Sequence, residues 1–224
     1  MDIIQAIRDA MPQLLHGLGF TIEYSILGVL FASIVGLVAA FMKLSRFSLF
    51  RLISNMYVEI FRGTPLLIQI LFIYSGLPVV LPLHQWFGES YLLIAATTAL
   101  ALNEGAYITE IIRAGILSVD RGQKEAAESI GMTGFQTMFY IILPQAFKRM
   151  IPPLVNQFAQ TIKDTSLLSA ISVGELIYTG QIIIAQTFQA FQIYTAIAFL
   201  YFVFIFALTQ IARYLERRFQ IDQR

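Results

Sequence analysis

The chain contains no cysteine and only two histidines, His16 and His84. Without thiols there is no disulfide and no thiolate-held metal, and the histidines stand apart from any other ligand type, so no metal site is expected. Charge is scarce as well: 13% of the 224 residues are charged, against roughly 25% in an ordinary soluble domain. A net charge of +1 carries no message about nucleic acid. No polybasic-aromatic pattern, zinc spacing or GxxxxGK[ST] loop occurs, so any ATP that drives this chain is bound by another subunit. Arg8 and Asp9 precede a long apolar segment without the basic n-region, short h-region and cleavage site of a signal peptide. No Ser-His-Asp or paired-carboxylate arrangement is visible, and no catalytic residue is expected. The sequence shows no internal repeat, which weighs against a secondary carrier built from paired halves.

Apolar residues make up 57% of the sequence, with nineteen Phe and ten Tyr, and the mean hydropathy is +0.70. Too little charge is available to cover a water-soluble core, and several uncharged runs reach spanning length. The chain is therefore read as an all-α integral membrane protein with a single transmembrane domain over 1–224. A mixed N-terminal segment, 1–16, is expected as a short surface helix. Five transmembrane helices are expected at about 18–42, 53–77, 91–112, 153–175 and 193–212.

The loops set the orientation. Lys43, Arg46 and Arg51 follow the first span; Arg113, Arg121, Lys124, Lys148 and Arg149 surround the third connection; Arg213, Arg217, Arg218 and Arg224 end the chain. The loop with His84 and Glu89 and the Gln-containing connection after Glu175 hold no base. The positive-inside rule then puts the N-terminus out and the C-terminus in. The uncharged stretch 129–147 is discounted as a span for its glycines, Gln136, Pro144 and Gln145. Pro65 should kink or open the second span, where Glu59 and Arg62 stand one helical step apart and able to pair.

Polar residues inside the spans carry two readings each. Asn103, Tyr107 and Glu110 share a helix face with Glu104 beside it, and this face either lines a solute path or fastens helices. Lys163, Asp164, Thr165 and Ser166 either mark a broken helix open to a polar solute or hold a local ion pair. Glu110 with Arg113 reads as a boundary pair, Glu23 as a residue reaching the interface, and Gly28, Ala32 and Gly36 as a small face for close helix packing.

The segment 122–149 is a charged island among lipid-suited segments, and its sequence is specific. EAAESIG at 125–131, followed after nine residues by IILP at 141–144, resembles the cytoplasmic signature of permease subunits from bacterial ABC importers. FRGTPLLIQ from Phe61, EGAYITEIIRAGI from Glu104, VDRGQKEAA from Val119 and KDTSLLSAI from Lys163 are similar to the polar amino-acid branch of that family. Glu104 departs from the small residue expected before GAY, and AGI replaces the more familiar GGI at 114–116.

The resemblance implies a bacterial inner-membrane subunit that forms the path for ATP-driven uptake of polar amino acids. A cytoplasmic coupling helix lies between spans three and four, with Gln123, Glu125, Ala126, Ala127, Gly131, Leu143 and Pro144 engaging the ATPase. It also implies two copies of the ABC ATPase subunit, which hold ATP and Mg, a second permease subunit, identical or closely related, and an extracytoplasmic solute-binding protein. The chain itself binds no cofactor and no nucleic acid. Asn103, Glu104, Tyr107, Lys163, Asp164, Thr165 and Ser166 are the candidate substrate path, and a carboxylate at Glu104 facing it favours a basic amino acid over glutamine, glutamate or cystine. The rival readings are an ATP-independent channel or carrier and a membrane scaffold subunit.

Overall fold

A computed structural model describes residues 3–218, with the side chains of 212 and 215–218 outside the description. Of the basic tail expected inside, the side chains of Arg217 and Arg218 and the whole of Arg224 lie outside the described residues. Every regular element described is helical: α1 (Ile3–Lys43), α2 (Ser48–Gly63), α3 (Leu66–Leu71), α4 (Leu83–Phe87), α5 (Tyr91–Leu117), α6 (Arg121–Ser129), α7 (Gly134–Gln136), α8 (Leu143–Asp164), α9 (Leu176–Thr187) and α10 (Ala190–Arg218). A π-helical turn, Phe72–Gly76, extends α3, another, Thr137–Ile142, joins α7 to α8, and a 3-10 segment, Thr165–Ile171, follows α8. Three helical stretches are long and apolar enough to cross a membrane alone, and up to five spans result if each of two bent pairs counts as one.

The core runs between α1 and α5, which pack along much of their length. Small residues let them approach: a Cβ on Gly36 would sit 2.7 Å from Ile108 Cγ2 and 2.9 Å from the Gly105 carbonyl oxygen. Thr109 Oγ1, held to the Gly105 carbonyl at 2.8 Å, lies in the same seam. The expectation that Gly28, Ala32 and Gly36 form a packing face therefore agrees with the geometry, since Ala32 is fully buried and Gly28 abuts Leu100. Tyr57 on α2 donates to the Leu102 carbonyl at 2.6 Å and Ser54 to the Ala39 carbonyl at 2.7 Å, which ties α2 to both helices.

Two helices depart most from the sequence expectation. The segment 1–16 does not form a separate surface helix; its described residues are the first turns of a continuous 41-residue α1. Ala6, Ala10 and Leu14 are buried, and Ala10 and Leu14 pack with Leu176, Ile183, Ile193 and Ile197 of α9 and α10. The apolar stripe continues through Pro12 without a break, so nothing in the packing ends the helix there. At 1.5 Å per residue, Glu23 stands about 30 Å along the axis from Lys43, one hydrocarbon thickness, and it is exposed.

The helix assigned to 153–175 begins at Leu143 and ends at Asp164, after which the backbone tightens to the 3-10 segment. Pro144 falls in the first turn, where no N–H is required. Pro152 and Pro153 lie inside α8. They leave the carbonyls of Lys148 and Arg149 without the i+4 donor, and both residues are exposed.

Candidate functional site

The site is built around a broken helix. Thr64 is extended at φ −120 and ψ 146, the conformation that a following proline imposes, and α2 meets the next helical stretch at 106°. Pro65 has no N–H, so the Phe61 carbonyl loses its helical donor. Two amides replace it: Gln69 Nε2 donates to the Phe61 carbonyl at 2.9 Å and Asn103 Nδ2 at 3.0 Å. Gln69 Nε2 also reaches the Thr64 carbonyl at 3.1 Å, and Asn103 Nδ2 donates to Gln69 Oε1 at 3.0 Å. The break is thus held open by a satisfied polar network, the condition for irregular backbone at membrane depth.

Facing the break is a cavity of about 590 Å³, lined by residues 62–66, Asn103, Tyr107, Gln157, Gln160 and Asp164. Gln157, Gln160 and Asp164 form one stripe of α8. Gln160 Nε2 donates to Asp164 Oδ1 at 3.0 Å. Behind Gln157, Glu104 is completely buried; its Oε2 accepts from Gln157 Nε2 at 2.5 Å, while its Oε1 has no hydrogen-bond partner. Asp164 lies close enough to act on the same carboxyl. Two acidic groups therefore stand together beside a cavity that also holds a guanidinium, Arg62, whose Cζ lies 5.1 Å from the centroid of the Tyr107 ring.

The other expected path residues divide. Asn103 reaches the cavity wall, but its amide is spent on the helix break. Lys163 is exposed and outside the cavity. The local ion pair with Asp164 does not form among the described residues; Asp164 takes the Gln160 amide instead. Thr165 is buried and donates to the Ile162 carbonyl at 2.7 Å, while the Ser166 carbonyl accepts from Ser169 Oγ at 2.7 Å, so both serve the end of α8. Glu59 and Arg62 form no ion pair among the described residues. Glu110 bonds Arg113 at 2.9 Å and also Lys43 of α1, a partner that lies far away in sequence.

The charged island folds as a compact helical turn. Asp120 caps α6 by accepting from the Gly122 N–H at 2.7 Å. At the other end Gly131 has φ 84, and its N–H reaches the Glu128 carbonyl while that of Met132 reaches Ala127. This is a Schellman termination, in which glycine alone adopts the left-handed residue without strain. Thr133 and Gln136 form a capping box for α7. Gln123, Glu125, Ala126 and Pro144 are exposed, Ala127 is buried and Leu143 half-buried. Gln145 Nε2 donates to Gln123 Oε1 at 3.3 Å, joining α6 to α8. Ile130 and Phe135 are 80% and 75% exposed.

Four polar residues escaped the sequence reading, three in the cavity wall and one at the start of α9. Arg62 was paired with its own helix rather than with Tyr107. Gln157 and Gln160 carried a legible signal, since with Asp164 they repeat at helical spacing in an apolar segment. Glu175 is completely buried and caps α9, accepting from the Tyr178 and Ile177 N–H groups at 2.7 and 2.9 Å and from the Tyr201 hydroxyl at 3.2 Å. Its only sequence signal is its place as the last charge before a long uncharged tract.

Comparison with known proteins agrees with this architecture. The family described as binding-protein-dependent transport system inner membrane component matches residues 33–221. The glutamine transport system permease protein GlnP of Escherichia coli K12 is 38% identical over 218 residues, covering 96% of this chain and 97% of that protein. The L-cystine transport system permease protein TcyB of Bacillus subtilis 168 is 41% identical over 218 residues, covering 97% and 90%. A crystal structure of an amino acid ABC transporter with histidines superposes at a TM-score of 0.88, with 38% identity over 97% of this chain and 99% of that one. An inward-facing MetNI methionine ABC transporter shares the fold at 0.77, with 19% identity over 94% and 97%. The chain belongs to the binding-protein-dependent transport system inner membrane component family: it is the permease component of an ABC-type polar amino-acid importer, a multi-pass inner-membrane protein that moves solute and is not itself an enzyme.

Proposed function

We propose that this permease imports a cationic amino acid, held in the cavity beside the helix break by Arg62, Tyr107 and Asp164, with Glu104 adding a second acidic charge from behind Gln157. The observation that carries the reading is Glu104, completely buried beside Asp164 at the cavity wall, two acidic groups together. A carboxyl at such depth needs a polar partner, a proton or a cation, and a cationic solute in the adjoining cavity supplies the last. Arg62 suits the solute carboxylate and Asp164 a solute cation, on which Glu104 acts from behind Gln157 without touching it. Lys163, Thr165 and Ser166 shape the end of α8 around this cavity rather than grip solute. A second reading, a neutral polar amino acid, is favoured by Gln157 and Gln160, whose amides already occupy one oxygen of each carboxyl; the relatives named for glutamine and cystine transport accord with it.

The chain crosses the membrane five times, counting each bent pair as one span, with the N-terminus outside and the C-terminus in the cytoplasm. The span limits shift from the sequence expectation to the helices described above. The coupling helix is α6, and Gln123, Glu125, Ala126 and the Gly131 turn seat in the ATPase, with Ala127, Leu143 and Pro144 fixing their attachment to α8. Two ATPase subunits, a second permease subunit and an extracytoplasmic binding protein complete the importer. Nucleotide and loaded binding protein bias a two-state equilibrium of the path.

Uptake of radiolabelled L-arginine and L-glutamine by proteoliposomes holding the assembled importer separates the readings. Glu104→Gln and Asp164→Asn are expected to reduce arginine uptake more than about tenfold, as loss of a desolvated charge partner does, with assembly intact. Equal loss of both solutes contradicts the cationic reading, and wild-type uptake of glutamine alone selects the neutral one.

A further inference from the structure

Arg62 stands in the last turn of α2, just before the helix break, and its guanidinium lies over the Tyr107 ring. A second cavity of about 460 Å³ extends toward the Lys43–Glu110–Arg113 cluster, with Ala114, Ser118, Arg149 and Pro153 in its wall. Three side chains, Arg62, Tyr107 and Gln157, belong to the walls of both cavities. Side chains that line two adjoining cavities are the partition between them. Gln157 is anchored through Glu104, and Tyr107 sits on the closely packed α5. Arg62 is different: it is exposed, forms no ion pair among the described residues, and stands beside Gly63, around whose Cβ position the space is open. The partition therefore has two fixed members and one movable one.

We propose that Arg62 laid over Tyr107 is the inner gate of the solute path. Closed, the guanidinium floors the main cavity and separates it from the second, which is the exit vestibule. An arriving carboxylate offers the guanidinium two charge-assisted hydrogen bonds, which outweigh its contact with a ring face. Arg62 then leaves Tyr107, and the two cavities become one. The gate is thus released by the group that every amino acid shares, while the acidic residues read the side chain. This rests on the main cavity being the amino-acid site, but the barrier itself is testable without solute.

Because the chain has no cysteine, a single engineered thiol reports each cavity. Gly63→Cys marks the main cavity and Ala114→Cys the vestibule. Impermeant methanethiosulfonates, one cationic and one anionic, are applied from the cytoplasmic side to the intact importer in inside-out vesicles without solute, and labelling is read from the mass of this subunit. Tyr107→Leu and Arg62→Gln are each expected to speed labelling of Cys at 63 about tenfold with both reagents, the scale of a lost partly desolvated cation–π contact, leaving Cys at 114 unchanged. Tyr107→Phe, which keeps the ring, is expected to label at the parent rate. Unchanged labelling at 63 in both Tyr107→Leu and Arg62→Gln overturns the gate, as does equal acceleration at 63 and 114. Uptake of arginine and glutamine by the parent importer tests the amino-acid reading separately.

Discussion

The two faces of α5 do opposite work. Toward α1, Gly105 and Ile108 meet Gly36 with no room for another carbon, and the polar groups are turned onto backbone carbonyls. Toward α2 and α8, the same helix presents Asn103 to a broken helix, Tyr107 to a cavity and the Glu104 carboxyl to Gln157. The first face has spent its bonding capacity on the fold; the second keeps some in reserve. A rigid seam behind an adaptable polar face is what a path needs if it is to change shape while the subunit stays assembled, because packed seams do not deform continuously.

This contrast is easiest to break at the seam. Gly36→Leu forces a side chain into Ile108 and the Gly105 carbonyl and is expected to destabilise by about 3 kcal/mol, seen as a lower unfolding midpoint of the detergent-purified subunit. Removing both amides at the break is the next largest change. Gln69→Ala with Asn103→Ala leaves the Phe61 carbonyl without a donor, expected to cost about 2 kcal/mol. Each single variant is expected to cost less than half of that, because the other amide still serves the same oxygen; additive losses in the same unfolding assay contradict the shared role. At the coupling turn, Gly131→Ala strains a left-handed residue by about 1 kcal/mol, a small effect on unfolding. Solute-stimulated ATP hydrolysis is expected to fall in Gly131→Ala and in Glu125→Ala, and unchanged stimulation in both counts against α6 as the coupling element. Smallest is Lys124→Ala, which removes an exposed pair to Glu128 at 3.8 Å and is expected to shift stability by no more than about 0.5 kcal/mol.

Local rules carried the sequence reading a long way. Pro65 announced the break, because a missing N–H acts within one turn; the Gly28, Ala32 and Gly36 spacing announced the α1 seam, because helix periodicity puts them on one face. What stayed hidden depended on neighbours. Arg62 has Glu59 one turn away, yet its direction is set by Tyr107 on another helix. Glu110 shows Arg113 in sequence, but Lys43 reaches it only once α1 and α5 are packed. The first turns of α1 look like a surface segment until α9 and α10 cover Ala10 and Leu14. The prolines of α8 read as a boundary, since their cost depends on whether solvent reaches the freed carbonyls.

The most direct test of the whole account is reconstitution of this permease with its ATPase and binding protein, scoring ATP hydrolysis against a panel of amino acids. Stimulation by arginine, lysine or histidine, lost in Glu104→Gln while the complex stays assembled, is the expected result. Stimulation that ignores both the amino acid and the Glu104 carboxyl would contradict it.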